Sequence, residues 1–127
     1  MRSTKLVYYI TTALVSLMMT YAAISYCIDP NLEAAFDHLG FRAYFRIELA
    51  IAKMIGVALL WLPVAAWIRE WTYAAFTIVF ISAFISHTAM GDPLMARIMP
   101  IIFLVLHLAS YVSWRILRYT PDTGKPY

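Results

Sequence analysis

The sequence predicts an all-α integral membrane protein: a four-helix bundle running up-down-up-down, with a short interfacial helix in the first outer loop. Three observations predict it. Of the 127 residues, 63% are hydrophobic and only 13% charged, and a soluble domain of this size exposes too much of its area to hide that excess. The apolar residues gather into four runs, each near the ~20 residues needed to cross a bilayer. Nearly all of the chain is used by those four runs, which makes 1–127 a single domain.

The first helix is expected over 6–28, a stretch without charge. Arg2 and Lys5 precede it as they would a cleaved signal peptide. The apolar run is too long for that, however, and no small-x-small cleavage site follows at a convincing place. Cys27 near its end is the only cysteine and reads as a small buried apolar residue. One thiol without a C-x-x-C motif excludes a dithiol redox enzyme. The loop "DPNLEAAFDHLGF" follows. Asp29-Pro30-Asn31 is turn chemistry that can start a helix, and Leu32, Ala35, Phe36 and Leu39 recur at helical spacing. An amphipathic interfacial helix over 31–39 results, ended by Gly40.

The second spanning helix is expected over 43–68, with Tyr44 and Phe45 as aromatic anchors and Pro63 kinking its end. Arg69-Glu70 then reads as a very short loop, with Trp67 and Trp71 at headgroup level. The third helix is expected over 71–91, ended by Gly91, and Asp92-Pro93 turns the chain into a fourth over 95–118. A polar tail occupies 119–127. With the N-terminus inside, Arg2, Lys5, Arg69, Arg115, Arg118 and Lys125 collect on the cytoplasmic side, against Arg42, Arg46 and Arg97 outside. Positive charge therefore places both termini in the cytoplasm. The cations sit at helix ends and form no basic stripe, so nucleic acid is not an expected partner.

An ionisable residue at mid-helix costs about 2.5–3.5 kcal/mol on the insertion scale, so the depth of such residues is informative. In this topology Glu48 lies about one turn and Lys53 about three turns below the outer surface. His87 lies about one turn below it, Asp92 at it, and His107 near the midplane with Tyr111 beneath. Tyr21, Ser25 and Tyr26 mark the outer end of the first helix. The outer half is polar and the inner half apolar. Each group has a structural alternative. Glu48 and Lys53 are separated by about 140° around the helix and do not pair directly, although Lys53 can snorkel toward Glu48. His87 can cap its helix and pair with Asp92, and His107 can be an interhelix hydrogen-bond former. No His-x-x-x-His or Glu-x-x-His pair is present, and Lys53 would repel a cation, so no metal site is expected. Nor is there a glycine-rich phosphate loop or a nucleophile triad.

Local motifs add a resemblance. "LAIAKMIGVALLWLP" followed by "REWTYAAFTIVFISAFISHTAMGD" resembles the DoxX-like family of small four-helix bacterial membrane proteins. The matching positions are Lys53 with Gly56; Glu70, Trp71, Tyr73 and Phe76; Ser86 with His87; and Gly91 with Asp92. "FDHLGFRAYF" and the "ASY" of Ala109 to Tyr111 fit as well. Thr72 and Ala75 replace the family's small residues, and Glu48 stands where an apolar or glycine position is expected. The resemblance implies the fold and a location in the bacterial inner membrane. It also implies a link to membrane redox chemistry, since the family is named for a subunit associated with thiosulfate:quinone oxidoreduction. A distant animal relative is a receptor-assembly chaperone, and most members have no assigned activity.

Two functions from different classes follow as expectations. In the first, Lys53, His87, Asp92, His107, Tyr111, Tyr21 and Glu48 line an outward-facing polar pocket for a lipophilic small molecule such as a quinone, bound without a covalent link. In the second, the same groups tether helices, and the protein is a non-catalytic assembly or scaffolding subunit that meets a membrane partner or further copies of itself. A stand-alone enzyme is the weakest reading, because no residue set here carries electrons without a cofactor.

Overall fold

A computed structural model describes residues 2–38 and 40–119. Leu39 and the tail at 120–127 lie outside the described residues, as do the side chains of Leu32 and Tyr119. Among the described residues all regular structure is helical: α1 (Arg2–Ile28), α2 (Pro30–His38), α3 (Ala43–Trp61), α4 (Ala66–Ala89) and α5 (Leu94–Tyr119). Arg2–Ile28, Ala66–Ala89 and Leu94–Arg118 are long and apolar enough to cross a membrane by length and composition. The 19-residue α3 carries Arg46, Glu48 and Lys53 within its apolar run. The chain is thus a helical membrane protein with three clear candidate spans.

The chain divides into two compact units. One joins Met1–Val15 to Glu70–Tyr127; the other is Ser16–Arg69. In the second unit, α1 and α3 run antiparallel, since Ser16 meets Trp61 and Met19 meets Lys53. The α2 helix begins as the sequence predicts. Asp29 accepts a hydrogen bond from the Asn31 amide at 2.9 Å, and Pro30 occupies the first helical position, where a missing N–H costs nothing. Phe36 turns in from α2 to meet the Tyr26 ring edge-on at 4.9 Å.

The expected helix 43–68 stops at Trp61, and the expected loop at Arg69-Glu70 is helix instead. Pro63 is the reason. It has no N–H to give and forces Leu62 into extended backbone (φ −78°, ψ 151°), which breaks the helix rather than kinking it. The chain resumes helix at Ala66, and the Leu62 carbonyl at the break accepts from the Val64 amide at 2.9 Å and from the Arg69 guanidinium. Pro100, by contrast, is accommodated inside α5. Cys27, expected to be buried, is exposed in the last turn of α1.

In the other unit α4 and α5 form an antiparallel hairpin. Its turn is built on Gly91, whose φ of +69° suits glycine. The Gly91 amide donates to the Thr88 carbonyl at 3.2 Å and the Asp92 amide to the His87 carbonyl at 3.0 Å, the paired bonds of a Schellman motif. Gly40 (φ +88°) ends α2 in the same way, with Phe36 and Phe41 in ring contact at 5.9 Å across the turn. Nothing lies within 4 Å of a Cβ built at Gly91, so only its backbone conformation resists substitution. Gly91→Ala is therefore expected to lower stability by about 1–2 kcal/mol, and Gly91→Asn by less. Unfolding in detergent checks this; an alanine variant as stable as the parent would contradict the left-handed turn.

Candidate functional site

The candidate residues fall into the two units, and each set is built differently. In the Ser16–Arg69 unit, the buried stripe of α3 is Arg46, Ala50, Lys53, Gly56 and Leu60. Arg46 and Lys53 are seven apart, two helical turns, and so share one face. Arg46 is 7% exposed, and its guanidinium donates to the Tyr26 carbonyl in the last turn of α1. That carbonyl has no helical donor, and the helix C-terminus favours a cation, so Arg46 works as a cap.

Lys53 is 6% exposed. Its ammonium has three protons to give, yet its contacts are the Met19 thioether sulfur at 3.8 Å and the face of the Tyr26 ring at 5.2 Å. A thioether is a weak acceptor, and the ring attracts the charge without completing its hydrogen bonds. No carboxylate forms an ion pair with Lys53 among the described residues. Glu48 is exposed and is not the partner that snorkelling would have offered; Tyr21 is also exposed, at 69%.

The other unit holds a hydrogen-bonded chain of neutral groups. Ser110 bridges the Thr12 hydroxyl at 2.6 Å and the Tyr73 hydroxyl at 2.8 Å, tying α1, α4 and α5 together. One turn away, His107 is 1% exposed. Its Nε2–H donates to the Tyr73 carbonyl at 2.9 Å, because a carbonyl can only accept. Nδ1 is buried and has no partner among the described residues. The imidazole is enclosed by the rings of Tyr73, Phe76 and Phe80, with centroids 5.0 to 5.7 Å away. Tyr111 places its hydroxyl 3.4 Å from the Glu70 carboxylate, which also accepts from the Arg115 guanidinium.

His87 and Asp92 are in direct contact, Nδ1 to Oδ2 at 2.6 Å. They occupy the two positions of the Schellman turn that an apolar pair ordinarily fills. The spacing in "SHTAMGD" is thus a helix ending in which a polar clasp replaces the hydrophobic one, with the backbone bond from Asp92 to His87 running alongside. Among the described residues no group of three His, Cys, Asp or Glu side chains is placed to hold a metal.

Sequence reasoning missed Arg46 as a buried residue; its seven-residue spacing from Lys53 was the available signal. It also missed Thr12 and Ser110, neutral hydroxyls inside apolar runs whose partners only the fold brings near. Trp71 of the motif is exposed, whereas Tyr73 and Phe76 are buried.

Long apolar helices with a few buried polar groups define a polytopic α-helical membrane protein. The family model of the DoxX-like family matches residues 10–110, and the chain belongs to that family. No curated protein and no solved structure matches it.

The Ser110 bridge makes a measurable prediction. Tyr73→Phe is expected to cost about 0.6 kcal/mol, the usual size of an interhelical hydrogen bond in a membrane protein. Ser110→Ala should cost more, since it leaves two hydroxyls without their shared partner. In a double-mutant cycle the two changes should couple; strict additivity would show that the bridge contributes nothing.

Proposed function

We propose that this DoxX-like protein binds a lipophilic small molecule with an oxygen-bearing polar head, of the quinone type, at Lys53, in support of a membrane redox process. The observation that carries the reading is the Lys53 ammonium, buried among a thioether and a ring with no oxygen to receive its protons. An ionised group inside an apolar segment marks a functional site by default, and a buried donor without an acceptor is costly unless a ligand completes it. Lys53 would donate to the head oxygen, while Met19 and the Tyr26 ring offer apolar contact to the ring beside it. In this reading α3 is the fourth span of an up-down-up-down bundle in the bacterial inner membrane, with both termini cytoplasmic.

A second reading, a non-catalytic assembly or scaffolding subunit, draws on the other unit. The Thr12–Ser110–Tyr73 chain fastens helices to one another and the His87–Asp92 clasp fastens a helix end to its turn, and neither needs a ligand. The two readings part at Lys53. Native mass spectrometry of the protein released from a mild detergent is expected to show an adduct of a few hundred daltons that is lost in a folded Lys53→Met variant. An adduct unaffected by that change would remove Lys53 from the site. A protein free of adducts that carries a second polypeptide would favour the assembly subunit.

A further inference from the structure

The second cation on the same face of α3 turns the expected head group from a neutral quinone-type head to an anion, and this inference rests only on the reading of Lys53 as a ligand site. Arg46 and Lys53 are both more than nine-tenths buried. Arg46 is bonded to a backbone carbonyl, which is neutral, and Lys53 to a thioether, which is also neutral. Among the described residues neither cation of this face forms an ion pair with a carboxylate. Glu48, the acidic residue between them in sequence, is exposed. Two positive charges about 10 Å apart along one helix thus share an apolar interior without a counter-ion among the described residues.

Charge buried in this way is ordinarily paired, since desolvation costs several kcal/mol per ion. A neutral carbonyl head would complete one hydrogen bond of Lys53 and leave the charge uncompensated. An anionic head would do both. We infer that the Lys53 site selects a lipophilic molecule with a single negatively charged oxygen head, a carboxylate or a phosphate ester, over its neutral counterpart. Lys53 makes the direct charge-assisted hydrogen bonds, and Arg46, two turns away and held by its cap, contributes its field. A carboxylate could come from a free single-chain acid and a phosphate from an anionic bilayer lipid; both supply the same charge.

Dodecanoate, methyl dodecanoate, a short-chain neutral quinone and phosphatidylglycerol are titrated separately into the full chain in maltoside detergent. The pH is set so that the acid is ionised, and occupancy is read by native mass spectrometry. The expected result is dodecanoate or phosphatidylglycerol binding at least about tenfold tighter than methyl dodecanoate and the quinone. Binding of dodecanoate identifies a free acid as the source; binding of phosphatidylglycerol alone identifies a bilayer lipid. Lys53→Arg should keep the preference for the anion, and Lys53→Met should abolish it. Equal binding of acid and ester, or a preference that survives Lys53→Met in a folded variant, overturns the inference. A Lys53-dependent adduct with the neutral quinone alone overturns it while leaving the Lys53 site standing. Absence of any Lys53-dependent adduct defeats both.

Discussion

The Lys53 ammonium, almost wholly enclosed and without an oxygen among the described residues to receive its protons, is the constraint from which the functional reading grows. Most other buried polar side chains of the described residues are provided for, although Nδ1 of His107 is not. Arg46 has the Tyr26 carbonyl, Ser110 has two hydroxyls, and His107 has the Tyr73 carbonyl through one of its nitrogens. In an apolar surround such provision decides which side chains can be tolerated. Lys53 is the buried ammonium whose contacts are a thioether and a ring, and such a departure is where function is expected to have displaced stability.

The two units solve the polar problem with different chemistry. Around Ser110 the groups are neutral, hydroxyls bonded to hydroxyls, and they fix how α1, α4 and α5 meet. Around Lys53 and Arg46 they are cations held against neutral partners, a thioether, a ring and a backbone carbonyl. The His87–Asp92 clasp, like the Ser110 bridge, is closed by groups of the chain itself. In the sequence its residues read equally as pocket-lining groups or as a helix cap, because a histidine and an aspartate five apart at a helix end can serve either role. The paired backbone bonds across Gly91 show the cap at work.

Much of the fold was legible. Long charge-poor runs become helices, and Gly40 and Gly91 end theirs where a left-handed residue was expected. What went astray was the break between α3 and α4. Charged Arg69-Glu70 drew the loop toward itself, although both residues bond well from within a helix: Arg69 to the Leu62 carbonyl, Glu70 to Arg115. Pro63 was the stronger signal, because it removes a donor and restricts its neighbour whatever surrounds it. The candidate site was legible in part. Lys53 stood out as a charge inside an apolar run, but its surroundings did not, since Met19 and the Tyr26 ring reach it from another helix. Arg46 was taken for a surface charge because the carbonyl that holds it cannot be seen in one dimension.

The most direct test of the account is the stability of the ligand-free protein with Lys53 replaced by methionine, a side chain of similar length without charge. Stripped of co-purifying lipids and unfolded in detergent beside the parent, Lys53→Met is predicted to be the more stable of the two, because it removes a buried cation that the protein itself does not pair. A variant less stable than the parent by more than about 0.5 kcal/mol would mean that Lys53 is an interhelix tether satisfied from within the chain, and would contradict the account.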